Sequence, residues 1–127
     1  HPKHSICILH RTNAGLDTLE KQLKASSISC ERMSNKKIDY SSSAVKLSTM
    51  LTVKGLEFDH VVITGLSNDQ LPSHAGSAGP DDELHVTTER RLLYTCMTRA
   101  RETLMMTYVG NPSRYLTEID SALMSSG

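Results

Sequence analysis

Short runs rich in β-branched residues alternate with helical stripes of leucine along this chain. Four such runs have the length and composition of strands. The predicted strands cover residues 5–9, 45–50, 60–64 and 103–109. After the first run, Leu16, Leu19 and Leu23 recur at the spacing of one helix face, which predicts a helix there.

A second helix is predicted to begin at Thr87 or Thr88. A hydroxyl side chain at this position can accept a hydrogen bond from an amide group in the first turn of the helix. The apolar face of this helix is predicted to consist of Leu92, Leu93, Cys96, Met97 and Ala100. The stripe is wide enough to face a hydrophobic core.

The remaining segments are polar or rich in glycine and proline. Residues 31–44 are predicted to be a connection with little structure, and residues 66–86 to be a long loop. After the fourth strand, Pro112 or Ser113 is predicted to open a final helix that continues through Leu123.

The alternation of strands and helices predicts an α/β domain with a mainly parallel sheet flanked by helices. A length of 127 residues fits a single domain that spans residues 1–127. The first residue is His1 rather than Met, which indicates a fragment of a longer protein. Ligands of such sheets tend to bind beyond the carboxyl ends of the strands, so functional residues are expected there.

Charge and composition argue against several classes of protein. Lys plus Arg and Asp plus Glu each total 14, so a strongly basic DNA-binding protein and an acidic tail protein are excluded. No apolar run approaches the ~18 residues of a membrane span. The three widely spaced cysteines favour a reduced, cytoplasmic compartment and show no metal-ligand spacing.

Three segments carry candidate chemistry. Residues 9–13 place Arg11 directly after the first strand, where a ligand would bind. Residues 52–58 form a polar turn with a glycine, and residues 89–101 contain four arginines on or near one helix. From spacing alone, simpler interpretations stay open: a solvated arginine, an ordinary turn, and a solvated helix face on which Glu89 pairs with an arginine.

In this order, the three segments resemble motifs IV, V and VI of superfamily 1 helicases of the UvrD, Rep and PcrA type. Motif IV corresponds to residues 8–14, motif V to residues 49–58, which end in KGLEF, and motif VI to residues 89–100, which include ERRL and TRA. The resemblance implies the second RecA-like motor domain, of P-loop NTPase type, which lacks the phosphate-binding loop. Accordingly, no G-x-x-x-x-G-K-[ST] motif occurs in the sequence.

The resemblance also implies roles for individual residues at an ATP site between two RecA-like domains. Arg99 and Arg11 correspond to arginine fingers, and Glu57 corresponds to a glutamate that contacts the ribose. Gly55 would permit the tight turn beside the nucleotide. His10 stands where the family usually has a tyrosine that stacks on adenine.

Further partners are implied for the complete motor. Thr49 and Thr52 are candidates for contacts with phosphates of single-stranded DNA, which fix position without reading sequence. The first RecA-like domain would supply the phosphate-binding loop and the acidic residues for Mg²⁺. ATP and Mg²⁺ are therefore expected in the complete motor, and neither is expected to bind this chain tightly alone. Residues 31–44 form the short connection where the family inserts a large extra subdomain.

Two alternatives stay open at this point. The first is a helicase-like domain that serves protein or nucleic-acid interaction without ATP turnover. The second is a small-molecule enzyme on an unrelated α/β fold, which predicts that Arg11, Glu57 and Arg99 do not converge on one face. On the helicase interpretation, the isolated chain is expected to hydrolyse no ATP, because the phosphate-binding loop lies on another domain.

Overall fold

A parallel sheet and three helices make up the part of the chain that the computed structural model describes, residues 6–33, 44–53, 56–67, 71 and 83–119. The strands are β1 (Ile6–His10), β2 (Cys30–Arg32), β3 (Val45–Thr49), β4 (Phe58–Ile63) and β5 (Ala100–Met106). The helices are α1 (Asn13–Ala25), α2 (Glu83–Met97) and α3 (Arg114–Glu118).

All neighbouring strands in this sheet are parallel, in the order β2-β3-β1-β4-β5. The first strand along the chain lies at the centre, because Cys7 pairs with Lys46 of β3 on one side and with Val61 of β4 on the other. Parallel neighbours cannot be joined by a tight hairpin, so the connections cross the faces of the sheet. This arrangement confirms the predicted α/β fold with a mainly parallel sheet flanked by helices.

Different helices cover the two faces of the sheet. Side chains alternate along β1, so Cys7 and Leu9 face one side while Ile8 and His10 face the other. Cys7 and Leu9 pack in one cluster with residues of α2. Helix α1 contacts β1, β2 and β3 on the His10 side, where Leu16 is buried.

The main core lies between the sheet and α2. Its buried members are Cys7, Leu9, Met50, Val53, Phe58, Val61, Ile63, Leu66, Leu71, Val86, Leu93, Cys96 and Tyr115. Phe58, the only phenylalanine, is fully buried at the start of β4. Because burying such a side chain contributes about 1.5–3 kcal/mol, Phe58 fixes the position of the residues just before it.

The predicted connection over residues 31–44 is wrong at its start, because Cys30–Arg32 forms the edge strand β2. This strand is polar, and Arg32 donates a hydrogen bond of 2.7 Å to the carboxylate of Asp17 in α1. Charged residues are common on edge strands, so a short polar edge strand has no apolar alternation that a sequence pattern could reveal. Residues 34–43 of this connection lie outside the described residues.

The second helix begins earlier than predicted. Helix α2 starts at Glu83, so a cap at Thr87 or Thr88 is wrong, and the predicted loop over residues 66–86 extends too far. Thr88 lies inside the helix, where its hydroxyl donates to the carbonyl of Leu84 over 2.8 Å. Because a threonine can satisfy its hydroxyl in this way, its presence does not by itself mark a helix start. Parts of the predicted loop, residues 68–70 and 72–82, lie outside the described residues.

The ends of two further elements can be compared with the predictions. Ala100 was expected on the apolar face of the second helix, which is wrong, because α2 ends at Met97 and Ala100 begins β5. Ser113 caps α3, since its Oγ accepts a hydrogen bond of 3.3 Å from the amide of Tyr115, and this prediction is confirmed. Leu123 lies outside the described residues. Among the residues that are described, no helix is long and apolar enough to cross a membrane.

Candidate functional site

Arg11 and Glu89 form a buried ion pair between the end of β1 and the middle of α2. Arg11 Nε donates to Glu89 Oε1 over 2.9 Å, and Nη2 donates to Oε2 over 3.0 Å. The side chain of Arg11 is 16% exposed and that of Glu89 is 3% exposed. Two parallel hydrogen bonds between ionised groups give a strong and directional contact. Glu89 therefore pairs with an arginine, as one simpler interpretation predicts, but inside the domain rather than on a solvated face.

His10 points to the α1 side of the sheet, away from Arg11. Its ring lies between two glycines, since a Cβ atom added at Gly15 or Gly65 would overlap it. The amide of Thr12 donates to Nδ1 over 3.1 Å, so the neutral ring carries its proton on Nε2. Burial lowers the pKa of His10, because a charged imidazole would lose solvation there.

Thr49 and Thr52 lie beside this segment, at the carboxyl end of β3. Thr49 is paired with His10 in the sheet, and the amide of Met50 donates to the His10 carbonyl over 3.0 Å. The two threonine hydroxyl oxygens are 2.9 Å apart, and the Thr52 amide donates to the Thr49 carbonyl over 3.2 Å. The structure therefore brings four residues together at the carboxyl ends of β1 and β3: His10, Arg11, Thr49 and Thr52.

Arg99 and Glu57 each lie one residue before a strand, at the amino ends of β5 and β4. Arg99 Nε donates to the Thr95 carbonyl over 3.2 Å, and Nη1 donates to the Leu56 carbonyl over 3.4 Å. The carbonyl of Arg99 accepts a hydrogen bond of 2.9 Å from the amide of Phe58. The contacts with Leu56 and Phe58 bracket Glu57, whose side chain is exposed between them.

The positive charge of Arg99 has no carboxylate partner among the described residues. Its hydrogen bonds go to the carbonyls of Thr95 and Leu56 and to the hydroxyl of Thr98, 3.1 Å away, all of which are neutral. Arginine stays charged at any physiological pH and presents a planar set of donors that fits phosphate. Arg99 is therefore held in place without its charge being compensated by a described residue.

Cys96 lies near both arginines. Its thiol donates to the Met50 carbonyl over 3.4 Å, and burial raises the pKa of Cys96 to about 12, while the charges of Arg99 and Arg11 oppose the increase. Both guanidinium groups thus act on one thiol on the α2 side of the sheet. Of the predicted site residues, Arg11 follows the carboxyl end of a strand, whereas Arg99 and Glu57 lie where the chain enters β5 and β4.

Glu89 has a structural role that the arginine-rich pattern of motif VI does not indicate. A signal was present in the helix pattern. Glu89 falls on the same stripe as Val86, Leu93 and Cys96, all of which are buried in α2. A carboxylate on a buried stripe is rare unless it is paired, so this position indicates a cationic partner elsewhere in the fold.

The described residues do not include every predicted site residue. Gly55 falls outside the described residues, so its role in the turn stays a prediction. Within the described parts of the chain, no group of three or more His, Cys, Asp or Glu residues could hold a metal ion.

The parallel sheet flanked by helices, with segments that match motifs IV, V and VI joined across it, defines a RecA-like helicase domain of the C-terminal type. The chain belongs to the UvrD-like helicase C-terminal domain family, whose sequence profile matches residues 31–111. A small-molecule enzyme on an unrelated fold is therefore excluded.

Two curated helicases have sequences similar to this chain. ATP-dependent DNA helicase PcrA of Staphylococcus aureus is 34% identical over 95 residues, which cover 66% of this chain and 13% of that protein. ATP-dependent DNA helicase UvrD2 of Mycobacterium tuberculosis is 41% identical over 86 residues, covering 59% of this chain and 12% of that protein. This chain thus matches only a small part of the length of these curated relatives.

A solved structure has a similar fold. The C-terminal domain of a possible DNA helicase from Lactobacillus plantarum WCFS1 superposes with a TM-score of 0.71 at 26% sequence identity. The match covers 95% of this chain and 66% of that chain. The fold similarity therefore extends beyond the residues that match the family profile.

Proposed function

We propose that this chain is the second motor domain of an ATP-dependent superfamily 1 DNA helicase or translocase. The observation that carries the proposal is Arg99, which neutral oxygen atoms hold in place and which has no carboxylate partner among the described residues. The relatives described as ATP-dependent DNA helicases support the same reaction.

In this proposal Arg99 acts as an arginine finger on ATP at the interface with a first RecA-like domain. Hydrolysis spreads negative charge over the γ-phosphoryl oxygens, and a positioned guanidinium stabilises that charge. In this proposal the phosphate-binding loop and the acidic residues that bind Mg²⁺ belong to the first domain. Because the finger and the phosphates lie on different domains, turnover requires the two domains to close.

The other predicted residues complete the nucleotide side of the interface. The exposed carboxylate of Glu57 contacts the ribose. The role of Gly55 in the preceding turn stays a prediction from the motif. Arg11 acts as a second finger, through the part of its guanidinium that Glu89 does not use. His10 is half-buried, and the accessible part of its ring meets the adenine base.

Thr49 and Thr52 are proposed to contact phosphates of single-stranded DNA. The hydrogen bond that joins their hydroxyl groups leaves acceptor and donor capacity on the pair, because each hydroxyl can take part in more than one hydrogen bond. The chain has no net charge, and DNA affinity depends on how many phosphates a protein neutralises. This chain alone is therefore expected to bind single-stranded DNA weakly, with other domains supplying most of the basic surface.

A helicase-like domain that binds partners without ATP turnover is the second candidate. One observation favours it: His10 replaces the tyrosine expected at this position, and its ring is packed between Gly15 and Gly65 rather than fully open for stacking. The two candidates differ in whether Arg99 affects turnover.

The test is Arg99→Ala in the complete motor protein that contains this chain. Turnover is expected to fall by roughly 10³–10⁵-fold, while binding of a fluorescent ATP analogue changes little, because the charge that Arg99 meets develops in the transition state. Steady-state ATPase rates with single-stranded DNA and a binding titration measure the two quantities.

Arg114→Ala is the matched control, because this arginine is exposed on α3 and lies outside the sequence of the three motifs. It is expected to leave both turnover and nucleotide binding unchanged. Equal losses of turnover and binding in Arg99→Ala would argue against a finger. Unchanged turnover would favour the non-catalytic candidate.

A further inference from the structure

We propose that Glu89 is a positioning residue for Arg11: it grips one edge of the guanidinium and so directs the other edge toward a phosphate group. This inference rests on the proposed function, in which Arg11 meets the nucleotide. It assigns a role in the reaction to an acidic residue that contacts no nucleotide itself.

The geometry of the pair is side-on. Arg11 Nε lies 2.9 Å from Glu89 Oε1 and 3.2 Å from Oε2, and Nη2 lies 3.0 Å from Oε2. None of the described residues accepts a hydrogen bond from Nη1 of Arg11. A guanidinium has five N–H donors, so the edge formed by Nη1 and the outer N–H of Nη2 remains for a second anion. One arginine can thus hold a carboxylate and a phosphate together.

Glu89 is a rigid support for this purpose. It is nearly buried in the middle of α2, on the stripe whose neighbours Val86 and Leu93 pack in the main core. By contrast, Glu118 forms a similar two-bond pair with Arg90 but is 35% exposed near the end of a short helix. Only the first carboxylate is fixed by core packing.

The backbone of Arg11 is also fixed. The preceding residue, His10, is enclosed by Gly15 and Gly65, and the following residue, Thr12, caps helix α1. With both its backbone and one edge of its guanidinium held, Arg11 has little freedom left to lose when a phosphate arrives. Groups that are oriented before the reaction raise its rate, and a displacement of about 1 Å costs up to about 100-fold.

The test is a double-mutant cycle in the complete motor protein, with Arg11→Ala, Glu89→Gln and the combination. Glu89→Gln keeps the shape of the side chain but removes its charge and one acceptor, so kcat is expected to fall by roughly 10-fold to 100-fold with a small change in KM. In the Arg11→Ala background, Glu89→Gln is expected to change kcat no further, because its effect passes through Arg11.

Thermal unfolding of the same variants separates positioning from folding. Arg11→Ala is expected to lower Tm because it leaves a buried carboxylate without this partner, and adding Glu89→Gln is expected to restore much of Tm but not kcat. Arg11→Lys serves if the alanine variant fails to fold. Lysine keeps the charge but cannot hold two anions at fixed angles, so Tm should be largely retained while kcat falls.

Glu118→Gln is the matched control and is expected to leave kcat unchanged. The proposal is overturned if Glu89→Gln lowers kcat equally with and without Arg11, or if Arg11→Ala leaves kcat intact. Failure of the proposed function has a different signature, since Arg99→Ala would then leave turnover unchanged whatever happens at Glu89.

Discussion

The two arginines proposed to meet the nucleotide are held in different ways. Arg11 is fixed by a carboxylate that is only 3% exposed, so its charge is paired inside the domain. Arg99 is fixed by the carbonyls of Thr95 and Leu56 and by a neighbouring hydroxyl, so its charge is not paired with any described carboxylate. The first arrangement joins two elements of the fold, and the second leaves a cation open to a ligand.

The two arrangements predict different contributions of Arg11 and Arg99 to stability and to the reaction. Breaking a buried ion pair leaves a charge in a medium that solvates it poorly, so Arg11 contributes to stability as well as to any contact with phosphate. Hydrogen bonds to neutral carbonyls contribute much less to stability, so the larger effect of Arg99 is expected in the reaction.

Arg11→Ala is expected to destabilise this chain by about 3–5 kcal/mol, because it leaves the buried carboxylate of Glu89 without its arginine. Arg99→Ala is expected to cost only about 1 kcal/mol, since it removes hydrogen bonds between a cation and neutral acceptors. Urea unfolding followed by circular dichroism measures both values. Similar losses in the two variants would remove the contrast between the arginines.

Gly15 and Gly65 enclose the ring of His10, the residue before Arg11. Gly65 can be compared with Gly110, which has no such neighbour. Gly65 and Gly110 both have positive φ, +70° and +76°, so alanine at either position costs about 1–2 kcal/mol of backbone strain. At Gly65 the new Cβ also overlaps the ring of His10, whereas at Gly110 nothing lies within 4 Å. Gly65→Ala is therefore expected to cost about 1–3 kcal/mol more than Gly110→Ala.

Thermal unfolding of both variants, alone and combined with His10→Ala, measures this difference. Removing the ring is expected to relieve the additional cost at Gly65 but to change nothing at Gly110. If Gly65→Ala remains equally destabilising without the ring, then backbone strain alone explains it, and the enclosure of His10 does not fix the segment before Arg11.

The sequence predicted the central strands well because their signals are local. Val61 to Ile63 is a continuous β-branched run, and such a run is typical of a strand covered on both faces. The strand at Cys30–Arg32 has no such signal, because its position depends on pairing with β3 and on the contact between Arg32 and Asp17. Local composition therefore does not predict a strand whose position depends on contacts with residues distant in the sequence.

The candidate site shows the same limit. The order of the three segments was enough to point to the family, and the family profile confirms it over residues 31–111. The pairing of Arg11 with Glu89 joins residues that are 78 positions apart, so no spacing rule could select that arginine among those present. The enclosure of His10 likewise depends on Gly65, at the end of a different strand.

The stability of the chain is expected to fall as the pH is lowered below about 6.5, partly because of His10. Its pKa is lowered in the folded state by burial, so the unfolded state binds the proton more readily. Stability from this group is therefore full above the unfolded pKa and declines as the pH falls from there toward the folded pKa. One such group contributes a slope of at most about 1.4 kcal/mol per pH unit.

The free energy of unfolding is measured between about pH 5 and pH 8, in steps of about half a pH unit. Comparing the original chain with His10→Asn isolates the contribution of His10 to the slope. Asparagine can still accept the hydrogen bond from Thr12 but does not titrate, so the variant should show a shallower decline. His60→Asn, on β4, is the control and should retain the part of the slope that belongs to His10. A slope unchanged in His10→Asn would mean that this ring is not the group that senses the proton.

The smallest effect is expected for a more exposed pair, Arg90 of α2 with Glu118 of α3. Its two hydrogen bonds are each 2.8 Å long, as short as those of the buried pair, and the bond from Arg90 lowers the pKa of the Glu118 carboxyl. The side chains of Arg90 and Glu118 are nevertheless 33% and 35% exposed, and exposed pairs contribute little because water and salt screen them. Glu118→Gln should therefore shift the urea midpoint only slightly, and about 1 M salt should abolish the shift. Glu89→Gln should keep most of its effect in the same salt, because salt screens a buried pair much less than an exposed one. If salt reduced both effects equally, bond geometry alone would set the strength of each pair, and burial would not distinguish Arg11 from the other arginines of the chain.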